Sequence, residues 1–311
     1  MQTTFKEYVQ SHWLPNLHRR QVRPSTLASY HSMLKNHVYP YFDSMTISQV
    51  DPPRVELLLS SMSSLSPKYQ RNVGLLLQAI FNHAVDSEVL DRSPIRAHHM
   101  AICRPQEKPS WTPSQVASIL AAIPRKYQLI FHLLALTGMR IGEALALRWQ
   151  DLHLGARSIS IHRSCWRTFS FMDSTKTGVS RTIPMPATLS QSFCHHWACE
   201  SSRCGALADS DLIFRGDDKR AYSPDFLRRE VLYPVLRGLG MPCGDRESGF
   251  HRFRHSAGSI IVSKTGNLKL AQTLLGHSSI STTADIYTHV QPAELAGAVG
   301  LLEREIMEAS T

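Results

Sequence analysis

The 311-residue chain has no apolar run approaching the roughly eighteen residues that a membrane-spanning helix needs. Its opening, "MQTTFKEYVQ", has no apolar signal core. A membrane partner is therefore not expected, and the expected location is cytoplasmic. Cysteine is scarce. Six residues, at 103, 165, 194, 199, 204 and 243, are too few and too scattered for a disulfide scaffold in a chain of this size, so free thiols are expected. No internal repeat and no low-complexity tract is present, which excludes solenoid and linker-like architectures. Acid is in deficit: 34 Lys and Arg against 25 Asp and Glu leave a formal charge of +9, a balance that suits a polyanionic partner without proving one. Nor is there an acidic cluster of the kind that holds magnesium. Asp217 and Asp218 in "GDDK" read as turn chemistry.

What is present is ample apolar content, 42%, in a chain long enough for about two domains. The first hundred residues are punctuated by Pro24, Pro40, Pro52, Pro53, Pro67 and Pro94, with helical apolar spacing between them. One stripe is Leu27, Tyr30, Leu34 and Val38; another is Val73, Leu76, Leu77, Ile80, Phe81 and Ala84. This pattern predicts a helical bundle over 1–105. "CRPQEKPSWTP" then concentrates Pro105, Pro109 and Pro113 with charge, which places a linker at 106–112. Beyond it, "YQLIFHLLALTG" reads as a helix apolar nearly all round, ended by Gly138, and "RIGEALALRW" as the next helix. "SISIH", "TFSFMDSTKT" and "SRTIP" turn to β-branched and aromatic residues, as strands would. Helices resume near 187. The expected class is mainly α with a small antiparallel β-sheet, an α+β arrangement, with a second domain over 113–290 and a tail helix over 291–311.

Several residues are candidates for chemistry, each with a plainer alternative. Arg140 stands where one helix ends and the next begins, so unpaired amides and a guanidinium face the same place, as an anion site requires. Glu143 lies within reach to hold it, or the two form an ordinary surface ion pair. Lys176, in the turn of "STKTGVSRTIPMP", is either a reaching ammonium or a solvated hairpin lysine. "GFHRFRHSAG" places His251, Arg254 and His255 on one helical face, with Ile260 and Ile261 toward the core. The two histidines have zinc spacing, but no glutamate lies between them and flanking arginines repel a cation, so an anion site for His251 and Arg254 is favoured. Arg252 and His255 are expected to be structural. Around 187–200, Leu189, Phe193, Trp197 and Cys194 form a helical face. Cys194, His195, His196, Cys199 and Cys204 fit no common zinc signature, and core packing is the favoured reading there. His277 follows a Gly-ended helix, and Tyr287 lies on the next, behind a possible capping pair of Thr282 and Asp285. Such a tyrosine is either a core residue with a wet tip or, with its pKa lowered by nearby cations, a nucleophile toward phosphorus.

In order, "TGMRIGE", "TKTG" with "RTIPMP", "HRFRH" and "LLGHSSISTTADIYTH" closely resemble the tyrosine recombinases of the phage integrase family. The resemblance spans roughly 110–290, and the helical first half is similar to that family's core-DNA-binding domain. It implies a catalytic domain over 113–290 in which Tyr287 attacks a DNA phosphate, giving a 3′-phosphotyrosyl link and a free 5′-hydroxyl. Arg140 and Arg254 would clamp the non-bridging oxygens, Lys176 would protonate the leaving oxygen, and His251 would accept or orient a proton. His277 would donate to the phosphate and Glu143 would support the site. No cofactor and no metal are implied. The implied partner is double-stranded DNA at a specific recombination site, bound as a clamp by a homo-tetramer on two sites. The tail, with Leu295, Val299, Leu302 and Ile306 in an apolar stripe, would dock on a neighbouring protomer. Arg23, Lys68 and Arg71, near helix starts, are candidate phosphate contacts.

The chain departs from the family at Phe253, where a leucine is common, and the core-binding pattern starts almost at Met1, so no arm-binding domain is expected. Three rival readings stand beside it. A type IB topoisomerase-like enzyme would share the chemistry but relax a single duplex. A DNA-binding regulator would have lost the nucleophile or an arginine, yet all are present. A zinc hydrolase would be built on His251 and His255.

Overall fold

Proline begins helices here more often than it breaks them, because its fixed φ and missing N–H suit the first helical position. Pro24, Pro52, Pro67, Pro113 and Pro224 each stand at such a start. Asp51, Ser66, Thr112 and Ser223 precede four of them and accept a first-turn amide. The computed structural model describes residues 3–102, 109–166, 170–172, 180–244 and 249–276. The chain divides into two units, Met1–Pro105 and Gln106–Thr311.

The first unit is helical. α1 (Phe5–Tyr8) passes through a wider turn, Val9–Trp13, into α2 (Leu14–Arg19). α3 (Pro24–Met33) likewise runs through Leu34–Val38 into α4 (Tyr39–Phe42), and α5 (Pro52–Ser61) and α6 (Pro67–Asp86) follow. Its core holds Phe5, Trp13, Leu34, Val38, Phe42, Val55 and Leu58. All six apolar residues expected along α6 are also buried there. Phe5 meets Phe42 edge-on and packs tilted against Phe81, so the chain start is sewn to the longest helix of the unit.

The second unit opens with α7 (Pro113–Ala122), α8 (Arg125–Thr137) and the short α9 (Ile141–Leu145). Among the described residues five strands follow: β1 (Leu152–His153), β2 (Ser158–Ile161), β3 (Ser164–Trp166), β4 (Ser170–Met172) and β5 (Arg181–Pro184). They form an antiparallel sheet in the order β1, β2, β5 and a separate antiparallel pair, β3 with β4. α10 (Ala187–Cys204), α11 (Pro224–Phe226), α12 (Tyr233–Gly238), α13 (His251–Thr265) and α14 (Leu268–Leu275) complete the described part. The core runs from Trp111 through α8 and the sheet to Phe250 and Phe253. The fold is mainly helical with a small antiparallel sheet, as the sequence predicts.

Details differ from expectation. α8 is not apolar all round: Leu136 is exposed and His132 half-buried, opposite the buried Ile130, Phe131, Leu133, Leu134 and Thr137. Cys194 is exposed, because the buried arc of α10 through Leu189, Ser190 and Phe193 leaves the next position turned away. Ile260 and Ile261 are only half-buried. The front of α13, from Phe253 to Gly258, carries the burial instead.

Candidate active site

The centre of the second unit is a turn between two helices. α8 ends at Gly138, whose φ of 63° is left-handed, and a Cβ there would lie 2.5 Å from Leu275 Cδ2. Two residues later Arg140 caps α9. Its backbone N–H donates to Glu143 Oε2 at 3.1 Å, while its Nη1 donates to Oε1 at 2.7 Å. The i,i+3 spacing that suggests a surface pair thus yields a buried one: the Glu143 side chain is 1% exposed and that of Arg140 18%. α9 also lies against β3, since a Cβ on Gly142 would be 2.5 Å from the carbonyl oxygen of Cys165.

Glu143 has a second cation that sequence reasoning passed over. Arg181 of β5 donates Nη1 to Oε1 at 3.2 Å and Nη2 to Oε2 at 2.7 Å. A signal for it was available. Arg181 pairs with Ile161 and lies two residues from Ile183, both buried, so it occupies an inward strand position where a charge requires a partner. Burial alone would raise the Glu143 carboxyl. The hydrogen bond and charge of Arg181, the charge of Arg140 and the Arg140 backbone N–H outweigh burial and hold it at about 2. Two guanidiniums around one carboxylate leave the cluster with net positive charge, which is what an anion would meet.

Arg254 reaches the same turn from α13. It is 3% exposed, donates Nη1 to the Gly138 carbonyl at 2.9 Å and Nη2 to the Leu275 carbonyl. Those carbonyls belong to the ends of α8 and α14, so one side chain ties both helix ends together. His251, one turn earlier, is the exposed first residue of α13. α13 is fastened from behind as well. The Trp111 N–H donates to Ser256 Oγ at 2.7 Å, the Trp111 ring meets Phe253 edge-on, and Arg252 lies 5.0 Å over its centroid. Phe253, the departure from the common leucine, is accommodated at 1% exposure between Trp111 and Phe131.

The structure thus joins Arg140 with Glu143 and brings Arg254 to the turn that carries Arg140. Lys176, His277, Tyr287, the Thr282 and Asp285 pair, and the tail residues Leu295, Val299, Leu302 and Ile306 lie outside the described residues. In the first unit, Arg23 caps α3, Lys68 is exposed in the first turn of α6, and Arg71 donates to the Ala101 carbonyl at 3.4 Å. On α10, Cys199 Sγ is 3.5 Å from His195 Nε2. Among the described residues no group of three or more His, Cys, Asp or Glu is placed to hold a metal ion. Among them, too, no helix is long and apolar enough to cross a membrane.

Comparison with known proteins settles the family. Residues 110–294 match the phage integrase family, and residues 4–62 match the phage integrase N-terminal SAM-like domain. The chain belongs to the phage integrase family. A tyrosine recombinase XerC-like protein of Caldanaerobacter subterraneus is 25% identical, with 93% of this chain and 80% of that one aligned. The ICEBs1 integrase of Bacillus subtilis is 26% identical over 87% of this chain and 75% of its own. Among solved structures, the Tn1549 transposon integrase in complex with a circular intermediate DNA superposes with a TM-score of 0.80 at 20% identity, covering 96% of this chain and 99% of that one. A lambda integrase(75-356) dimer bound to a COC′ core site gives 0.72 at 16% identity, covering 93% of this chain and 100% of that one. At these identities the structural likeness is one of fold. Members of the family are enzymes that cut and rejoin DNA, and this integrase-family chain is one of them.

Proposed function

We propose that this integrase-family protein recombines DNA at a specific site through a 3′-phosphotyrosyl intermediate on Tyr287. The observation that carries the reading is the convergence of Arg140, with its Glu143 partner, and Arg254 on the turn after α8, from motifs more than a hundred residues apart. Two fixed guanidiniums at a helix start meet the charge that builds on the non-bridging oxygens of an attacked phosphate. Tyr287 Oη displaces the 5′-oxygen, Lys176 delivers the proton to that leaving group, and His251 and His277 hydrogen-bond the phosphate and manage the proton of the phenol. The phosphotyrosyl bond keeps the energy of the broken phosphodiester, so the 5′-hydroxyl of a partner duplex attacks it and returns free tyrosine. The partner is double-stranded DNA, with Arg23, Lys68 and Arg71 of the first unit as phosphate contacts. Four protomers act on two sites, each tail helix docking its Leu295, Val299, Leu302 and Ile306 stripe on a neighbour.

The test needs a site. Nicked duplexes of randomised sequence are incubated with the protein in EDTA, and those left covalently joined to it after SDS are recovered and sequenced. A supercoiled plasmid bearing two copies of the recovered site should be resolved into two circles. Relaxation of a plasmid that lacks the site, at the same rate, would instead assign a type IB topoisomerase-like activity.

A further inference from the structure

We infer that Arg181 is a positioning residue for the cleavage step, holding Glu143 and through it Arg140, and seating the turn at Gly276. This rests on the recombinase reading above. Three observations support it. First, Arg181 takes both oxygens of Glu143, whereas Arg140 bonds one oxygen through its side chain and the other through its backbone. The carboxylate is therefore shared. Without Arg181 its whole charge would fall on Arg140, drawing that guanidinium toward the protein and cancelling the charge an anion needs. Second, the Arg181 side chain lies flat on Gly276. A Cβ at Gly276 would meet Arg181 Cδ at 2.9 Å, Nε at 3.0 Å and Cζ at 3.1 Å, so only a glycine lets the two approach. Gly276 has a φ of 64° and ends α14 immediately before His277. Third, the strand holds Arg181 rigidly, with Thr182 exposed, Ile183 buried and the register set by four pairs with β2. One side chain thus links the motif of Arg140 to the backbone that leads to His277.

The acidic partner makes the role measurable. Glu143 faces Arg140 from its own helix and Arg181 from β5. In the intact protein the carboxylate stays ionised throughout the assay range. With Arg181 removed, burial is opposed by one cation fewer and the Glu143 carboxyl rises, so protonation would begin to dismantle the α9 cap at mildly acid pH.

The experiment uses the full chain and the duplex recovered by covalent selection, comparing wild type, Arg181→Met, Arg181→Lys and the Glu143→Gln/Arg181→Met double variant. Single-turnover formation of the covalent adduct is followed from pH 5 to 8 alongside duplex binding and thermal melting. Displacement of Arg140 by about 1 Å predicts a loss near 100-fold in adduct rate for Arg181→Met, with duplex affinity changed far less. The variant should also show a new acid limb in its pH profile, partial rescue by Arg181→Lys, and a double variant that lacks the limb and is as slow at every pH as the single variant is at its acid end. Equal losses in binding and rate, or a loss with an unchanged pH profile, would assign Arg181 to folding alone and overturn the inference. Absence of any adduct in wild type would instead count against the recombinase reading.

Discussion

Glu143 is a carboxylate almost removed from water between two guanidiniums, and this environment has a consequence for stability. Its carboxyl falls from an ordinary 4.5 to about 2 in the folded protein. A depressed folded value means that the unfolded chain binds the proton first as pH falls, so the stabilisation is complete above about pH 4.5 and disappears on acidification toward pH 2. Glu143→Gln removes this contribution while keeping the size of the side chain. Chemical denaturation should show the variant about 3–5 kcal/mol less stable at pH 7, the cost of stranding buried cations. The gap between the two proteins should narrow as pH is lowered through this window. A gap that is constant from pH 7 to 3 would mean that the carboxylate contributes nothing through its charge.

Among the elements, the junction of α8 and α9 takes the most from single residues. Gly138 adopts a left-handed conformation against Leu275, and its carbonyl accepts from Arg254. Gly138→Ala should cost about 1–3 kcal/mol in backbone strain, with a further penalty for the displaced leucine. Its melting temperature should fall, and adduct formation should fall more than duplex binding, because Arg254 and Arg140 both take their placement from this turn. The helices and the strand segments at 158–161 and 181–184 were legible in the sequence, since proline positions, apolar stripes such as 73–84 and β-branched runs are local signals, whereas the pairing of β2 with β5 is tertiary and was not. Arg140, Glu143 and Arg254 were legible by resemblance in motif order. Arg181 was not picked out because its i,i+2 spacing from Ile183 marks an inward position only once that face of β5 is known to be buried, which the register opposite Ile161 and the approach of Gly276 show. The packing of α8 was overestimated for a related reason. Its sequence carries apolar residues on the face where Leu136 is exposed, and which of those faces finds a neighbour is decided by the rest of the fold.

At the scale of the whole molecule, two units with separate cores and an excess of positive charge suit a protein that grips a duplex. The second unit supplies the arginines, and the family match extends across it to residue 294, past Tyr287. Wild type and Tyr287→Phe are incubated with the selected nicked duplex in EDTA and quenched in SDS, and the protein is digested and sequenced by mass spectrometry. A covalent adduct is expected in wild type alone, with the nucleotide on the peptide that contains Tyr287 and a free 5′-hydroxyl on the released strand. An adduct of equal yield in Tyr287→Phe, or one mapped to another residue, would contradict Tyr287 as the nucleophile.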